Sequence, residues 1–274
     1  MLDPGLHELN VGFRWADNEG PFQLISGEQA DQYNQQGYFL LKQAFDRALM
    51  SRLIAEIDPL EAKTEAYLQS IGGRAFIARS GEITFSTHLV ARSALLEEFV
   101  HHPVFLGLTH DLLGPDVRLY WDQAVYKKPG TTAPFPWHQD NGYTFIEPQQ
   151  YLTCWVALSD ATLEGGCPWV MPGLHKHGTL AHHTSDLGYV CLEGWPQHAV
   201  PVEASAGDIV VFSSLTPHAT GANRTDDVRK SYIVQFAPEG ACNVTQNAAG
   251  TIERVACNDE LRQFPVLRAG APAR

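Results

Sequence analysis

The sequence is short of basic residues and has no long apolar run. Its 274 residues include 19 Lys and Arg against 31 Asp and Glu, a formal net charge of −12. A negative surface is a poor match for nucleic acid or an anionic membrane, and we expect neither as a partner. No apolar stretch approaches the roughly 20 residues needed to cross a bilayer.

The cysteines show no pairing pattern, and no secretory signal is visible in the first residues. The five cysteines are odd in number and include no CxxC spacing, which fits neither a disulfide framework nor a structural zinc site. The first residues, Met1-Leu2-Asp3-Pro4, show no basic segment followed by an apolar one. We therefore expect reduced thiols in a cytoplasmic protein.

Helical patterns fill the first part of the chain. Ser26 and Asp46 are suitable N-caps for two helices, and Pro59 should kink or restart the second. Two more helical segments precede Gly114-Pro115. We predict that residues 1–115 form an N-terminal arm and supporting helices.

After this region the pattern changes to short apolar runs separated by turn residues. The predicted strands lie at about 117–127, 137–139, 151–158, 168–171, 189–192, 199–202, 209–212 and 231–236. Many short strands with Gly-, Asn- and Asp-rich turns indicate an antiparallel sandwich or barrel. We predict a mainly β protein with flanking α-helices. It should be a single domain, 1–274, with a jelly-roll core at 116–238 that would carry any active site and a C-terminal tail at 239–274.

A His-x-Asp motif lies early in this core. Residues i and i+2 of a strand point to the same face, so His138 and Asp140 would project into one space. They would supply two ligands of a 2-His-1-carboxylate site for non-haem Fe(II). A hydrogen-bonded pair in a loop is the alternative for so short a motif.

Two further residues complete the candidate site. His218 follows an apolar strand and a Pro, and distant strands of a jelly roll lie side by side, so it is the best third ligand; the alternative is a core histidine. The polar turn 221–227 should reverse the chain and return Arg229 beside the strand of His218. A guanidinium opening a buried strand can clamp a carboxylate. The alternative is a surface ion pair with Asp226 or Asp227.

These motifs occur in a particular order along the chain. They are His138-x-Asp140, Trp155, Pro172-Gly173-Leu174-His175-Lys176, Gly207-Asp208, His218-x-Thr220 and Arg229. The set resembles the phytanoyl-CoA dioxygenase family, over roughly residues 26–238 and most sharply from Tyr120 to Phe236. The family consists of Fe(II)/2-oxoglutarate-dependent oxygenases on a double-stranded β-helix, a cupin-like jelly roll. Leu174 departs from it, because many relatives have Ser there.

The resemblance implies a set of ligands and cofactors. The catalytic, iron-binding residues would be His138, Asp140 and His218. The residues implied for 2-oxoglutarate are Arg229 and Thr220 at its distal carboxylate, then Trp155, and more weakly Gln123 and Lys127. With O2, such an enzyme would hydroxylate an aliphatic C–H bond of a small-molecule metabolite or natural-product intermediate and release succinate and CO2. Related halogenases lack the carboxylate ligand, so Asp140 favours hydroxylation over halogenation.

The substrate contacts are less well defined by the sequence. The candidates are Tyr143, Phe145, His88, Arg79, His175 and Trp169. Each aromatic among them is more often a packing residue. The histidines at 175–183 lack the partners of a zinc site, so we expect exposed loop histidines, with His175 at the pocket mouth. Desaturation, epimerisation, cyclisation and endoperoxide formation remain alternative outcomes, and a non-catalytic jelly-roll binding protein is the alternative of another class.

Overall fold

Four α-helices precede most of the sheet in the computed structural model, which describes residues 5–273. They are α1 (Gly27–Gln36), α2 (Arg47–Ser70), α3 (Ala94–Phe99) and α4 (Pro103–Leu113). The Ser26 side chain caps α1 and Asp46 caps α2, as predicted. Pro59 lies inside α2 without ending it. None of these helices is long and apolar enough to span a membrane.

The rest of the described chain is dominated by antiparallel strands. In chain order the strands are β1 (Tyr38–Leu41), β2 (Arg74–Ala75), β3 (Ala78–Arg79), β4 (Ile83–Thr87), β5 (Val117–Lys127), β6 (Phe135–His138), β7 (Ile146–Glu147), β8 (Leu152–Ala157), β9 (Pro168–Val170), β10 (His183–Ser185), β11 (Gly188–Val190), β12 (Val200–Pro201), β13 (Ile209–Ser213), β14 (His218–Thr220), β15 (Arg229–Pro238), β16 (Cys242–Gln246), β17 (Ile252–Ala256), β18 (Pro265–Arg268) and β19 (Ala271–Pro272).

Two antiparallel sheets form the jelly roll. The larger sheet has the order β1-β13-β8-β15-β5-β4-β3-β2, and β18 adds to β5. The smaller sheet has the order β12-β9-β14-β6. Neighbours in space are distant in sequence, as the crossing connections of a jelly roll require. The predicted fold class is thus confirmed.

The alternation of side chains along β8 shows how the large sheet separates the core from the site. Leu152, Cys154 and Val156 belong to the main apolar core, which includes residues of α2 and α4. Residues at alternate positions point to the opposite face. Thr153 and Trp155 accordingly line a cavity on that other face.

The connection from β14 to β15 differs from the predicted hairpin. His218 lies in the small sheet, whereas Arg229 opens β15, which pairs with β5 and β8 in the large sheet. Turn 221–227 therefore carries the chain between sheets. In the large sheet, the ten residues of β15 pair with two buried strands, β5 and β8. A hairpin with β14, which has only three residues, would not cover β15 to the same extent.

Candidate metal centre and cosubstrate pocket

Three side chains converge where β6 and β14 meet. His138 and His218 are direct partners in the register of these strands. Asp140 lies beyond the end of β6 and begins a single turn of 3-10 helix, Asp140–Gly142. The two residues therefore do not share one strand, as the argument from positions i and i+2 assumed. The turn nevertheless brings the carboxylate to the two imidazoles, so that one ligand atom from each residue lies within 4.8 Å of the others.

Close packing fixes this turn. The Gln139 backbone N–H donates to His182 Nε2 at 3.0 Å. A Cβ on Gly142 would lie 2.1 Å from Cε1 of the same imidazole. Only glycine therefore lets the turn approach His182 so closely, and the loop histidine helps to hold the backbone that presents Asp140.

Hydrogen bonds orient each of the three candidate ligands. Nδ1 of His138 lies 2.8 Å from the Pro136 carbonyl oxygen, and Nδ1 of His218 lies 3.0 Å from that of Thr216. A carbonyl only accepts, so Nδ1 carries the proton and Nε2 keeps its lone pair. Thr153 Oγ1 donates to Asp140 Oδ2 at 2.5 Å. The other carboxylate oxygen, Oδ1, lies 3.7 Å from His218 Nε2.

The charge states also suit a bound cation. Burial, with the neighbouring His218, lowers the pKa of His138 to about 3, and burial lowers the pKa of His218 to about 4. Both imidazoles are therefore neutral ligands at neutral pH. Burial raises the pKa of the Asp140 carboxyl, a cost that a divalent cation between the three residues would offset. Two neutral imidazoles and a carboxylate are the donor set that non-haem Fe(II) takes, so these residues fit the metal.

Arg229 is a buried cation with unused hydrogen-bond donors. It is 2% exposed, and burial lowers its pKa only to about 10, so it stays charged. Nη1 donates to Ser231 Oγ at 2.7 Å, and the guanidinium lies 5.2 Å from the Trp155 ring centroid. Nε and Nη2 have no hydrogen-bond partner among residues 5–273. A buried guanidinium with free donors is suited to a ligand carboxylate such as that of 2-oxoglutarate.

Thr220 lines the same cavity and is oriented by Lys127. The Lys127 Nζ donates to Thr220 Oγ1 at 2.9 Å and to the Gly221 carbonyl oxygen at 2.6 Å. Since Thr220 Oγ1 accepts from the amine, its own proton is free to donate elsewhere. Burial and the charge of Arg229 hold the pKa of Lys127 well below its usual value. Lys127 itself is not part of the cavity wall, so the structure places it behind Thr220.

One cavity of about 540 Å³ joins these groups. The three candidate metal ligands, Arg229 and Thr220 all line it. Of the other predicted residues, Trp155, Gln123 and Tyr143 are in its wall. The Tyr143 ring centroid is 5.3 Å from that of His138, which places this aromatic beside the metal position.

The remaining predicted substrate residues lie outside the cavity wall. Phe145 stacks on His7, and Trp169 contacts Trp195. His88 packs against Trp121. Arg79 donates to backbone carbonyls of the two hairpins at the cavity rim. These positions give no support to a direct role in substrate contact.

His175 differs most from expectation. The prediction of an exposed histidine at the pocket mouth was wrong, because His175 is fully buried and its ring packs on Trp15 at 4.4 Å between centroids. Its Nε2 lies 3.2 Å from the Asn34 carbonyl oxygen. It holds the N-terminal arm and α1 against the core.

Several site residues were not found from the sequence. Thr153 and Gln235, which donates to Thr153 Oγ1 at 3.2 Å, form a chain that ends on Asp140. Thr153 is two residues from Trp155 on the same strand face, so the alternation of β8 contained the signal. The hairpin of β2 and β3, whose tip Phe76 lines the cavity, had no comparable pattern.

A two-histidine, one-carboxylate site inside a jelly roll, next to a buried arginine with free donors, defines a class of protein, the non-haem Fe(II) oxygenases that use a 2-oxo acid. The solved structures that resemble the chain agree in fold. The carbocyclase SnoK from nogalamycin biosynthesis has a TM-score of 0.66 at 24% identity, covering 82% of this chain and 89% of that chain. The epimerase SnoN has a TM-score of 0.63 at 22% identity, covering 79% and 84%.

Sequence comparison gives the family. A probable phytanoyl-CoA dioxygenase of Caenorhabditis elegans is 26% identical, covering 84% of this chain and 80% of the relative. A methylphosphonate hydroxylase of Gimesia maris is 26% identical, covering 77% and 80%. The family model for phytanoyl-CoA dioxygenase matches residues 33–231, more than half of the chain, and the chain belongs to this family. It is an Fe(II)- and 2-oxoglutarate-dependent oxygenase that uses O2.

Proposed function

We propose that the enzyme hydroxylates an aliphatic C–H bond of a small-molecule metabolite or natural-product intermediate. The observation that carries the proposal is one cavity lined by His138, Asp140 and His218 together with the unpartnered donors of Arg229. Substrate, 2-oxoglutarate and O2 would give the alcohol, succinate and CO2. A cytoplasmic location stays a prediction.

Each protein residue has a separate task in this reaction. His138, Asp140 and His218 would hold Fe(II), which with 2-oxoglutarate and O2 supplies the oxidising power for attack on an unactivated C–H bond. Arg229 and the free Thr220 proton bind the distal carboxylate of 2-oxoglutarate. Tyr143 covers the His138 side and keeps water from the reacting carbon.

The alternative outcomes share the cofactors and differ in the product. SnoK and SnoN are named as a carbocyclase and an epimerase, so cyclisation and epimerisation occur on this fold. The retained Asp140 carboxylate favours hydroxylation and these related oxidations over halogenation, and it does not separate them from one another. A turned-over substrate distinguishes the outcomes by mass: one added oxygen for hydroxylation, two lost hydrogens for desaturation or cyclisation, and no change for epimerisation.

An anaerobic titration tests the site itself. Fe(II) and 2-oxoglutarate should produce a weak metal-to-ligand charge-transfer band in the visible region. Arg229→Ala should weaken 2-oxoglutarate binding by about tenfold to a hundredfold, since a charge-assisted carboxylate contact contributes about 1.5–3 kcal/mol. The matched control is Arg254→Ala, which removes an exposed arginine paired with Glu147.

Two results would contradict the proposal. One is no band at saturating Fe(II) and 2-oxoglutarate. The other is equal 2-oxoglutarate affinity in Arg229→Ala and Arg254→Ala, measured by the band intensity at increasing cosubstrate concentration.

A further inference from the structure

The charged groups of the cavity are few and all belong to the metal and cosubstrate end. Arg229 is the one Lys or Arg in its wall, and Asp140 the one acidic residue, among the residues that the structure describes. If 2-oxoglutarate takes Arg229, no cation in the wall remains for an anionic substrate. Burying an unpaired carboxylate, phosphate or sulfate in such a site is costly.

Aromatic rings of the cavity lining form two series of contacts that start at His138. In one series Tyr143 is 5.3 Å from His138, between ring centroids, and 5.1 Å from Tyr189. In the other series Phe135 is 5.0 Å from His138 and 5.6 Å from Phe85. All four rings line the cavity, so aromatic surface borders the space in which a substrate carbon must approach the metal.

Phe76 completes this surface at the turn between β2 and β3. Its side chain lines the cavity yet is 60% exposed, and its ring lies 6.2 Å from Tyr143 and 5.8 Å from Tyr189. Its φ of +47° is a strained conformation for an aromatic residue. Arg79 Nη1 donates to the Phe76 carbonyl oxygen at 2.7 Å and supports that turn. Strain of this kind is typical of positions held for a function.

The arginines at the rim do not supply the missing positive charge. Arg79 also donates to the Ala78 and Asp186 carbonyl oxygens. Arg74 donates to the same Asp186 carbonyl at 2.9 Å and lies 3.7 Å from the Asp186 carboxylate. Both guanidinium groups thus join the β2–β3 hairpin to the β10–β11 hairpin instead of facing the cavity.

We propose that the substrate is an uncharged, largely apolar molecule built on fused or linked rings, held against Tyr143, Tyr189 and Phe76. The proposal rests on the proposed function, because it assigns Arg229 to 2-oxoglutarate. It excludes coenzyme A thioesters, phosphonates and free carboxylic acids as good substrates. The β2–β3 and β10–β11 hairpins, which carry Phe76 and Tyr189, select substrates with flat rings. The lack of a further Lys or Arg in the cavity wall selects uncharged substrates.

The test is a binding titration of the enzyme loaded with Fe(II) and 2-oxoglutarate without O2. The probes are two matched pairs, pregnenolone with pregnenolone sulfate and 2-naphthol with 2-naphthyl phosphate, plus octanoyl-coenzyme A. Quenching of tryptophan fluorescence reports binding, since Trp121 lines the cavity. At least one neutral probe should bind at least about tenfold more tightly than its anionic partner.

Three variants assign the binding to this surface. Phe76→Ala should weaken binding of the neutral probe by about three- to tenfold, which corresponds to the loss of one aromatic contact. Leu261→Ala, which truncates a side chain that is 75% exposed and outside the cavity wall, should leave its affinity unchanged. Tyr67→Arg adds a cation to the cavity wall. It should reduce the difference in affinity between the neutral and the anionic member of each probe pair.

The substrate class is overturned if the anionic partners or octanoyl-coenzyme A bind as tightly as the neutral rings. It is also overturned if neither neutral probe binds, or if Phe76→Ala and Leu261→Ala behave alike. The charge-transfer band is recorded in the same samples. A missing band with preferential binding of neutral rings would defeat the proposed function and leave the substrate class standing, so the two failures are distinguishable.

Discussion

Thr153 controls how the Asp140 carboxylate is presented. Its hydroxyl donates to Asp140 Oδ2 and in turn accepts from Gln235 Nε2. One carboxylate oxygen is thereby occupied, and the other faces the imidazoles. Such partners fix the orientation of a ligand, and their loss typically lowers metal affinity by about 10–100-fold.

Thr153→Val should therefore weaken metal binding by about tenfold or more, because valine has the same shape without the hydroxyl. Calorimetric titration with Fe(II) in the absence of O2 measures the change. The matched control is Thr109→Val, where the buried hydroxyl donates to the Leu106 carbonyl oxygen within α4. Equal metal affinity in the two variants would show that Thr153 does not position Asp140.

The identity of the main site residues could be predicted from the sequence, whereas their exact positions in the structure could not. His138, Asp140, His218 and Arg229 could be selected because their residue types and order are distinctive. The position of Asp140 on a turn was not predictable, because it depends on the contact of Gly142 with His182, 40 residues later. His175 was misplaced for the same reason, since its burial depends on Trp15.

At the scale of elements, β5 links the parts that surround the cavity. It pairs with β4, β15 and β18. Its buried Asp122 accepts from Tyr232 Oη at 2.8 Å and from the Leu89 and Val90 backbone N–H groups. Burial raises the pKa of Asp122 from 3.8 to about 6. A carboxyl with a raised pKa in the folded state favours folding most below its unfolded value, and this contribution is lost as the pH rises through the folded value.

On acidification, the free energy of unfolding of the wild type should thus rise relative to that of Asp122→Asn. The expected change is about 1.4 kcal/mol between about pH 7 and about pH 5, one pKa unit being about 1.36 kcal/mol. Urea unfolding at several pH values measures it. For the control Asp226→Asn, at an exposed position, the difference in free energy of unfolding from the wild type should not change with pH. If the difference for Asp122→Asn is also independent of pH, the account based on a buried carboxyl is refuted.

The elements themselves followed local patterns, whereas their pairing did not. Ser26 and Asp46 start helices through contacts three residues away, which a short window of sequence contains. Turn 221–227 has hairpin composition, but its flanking strands join different sheets. β15 pairs with β5 and β8 instead of β14 because this pairing buries it on both sides. Strands β5 and β8 are distant in sequence, so a local pattern could not predict this pairing.

For the whole molecule, the segment after residue 238 is part of the structure. It forms β16 to β19, and β18 pairs with β5 through Leu267 and Val117. Val266 and Leu267 are buried in the main core with residues of α4 and β15. No periodic pattern is visible in this part of the sequence, because a four-residue strand is too short to show one. These contacts support the proposal of a single domain over 1–274.

Leu267→Ala tests whether this segment stabilises the whole fold. Loss of a buried leucine typically costs about 2–5 kcal/mol, because a cavity is left in the core. If 1–274 is one cooperative domain, the complete unfolding transition should move to lower urea concentration, detected both by far-UV circular dichroism and by tryptophan fluorescence. Val255→Ala, in exposed β17, should change stability by no more than about 0.5 kcal/mol. An unchanged main transition in Leu267→Ala would mean that the C-terminal strands dock without supporting the jelly roll.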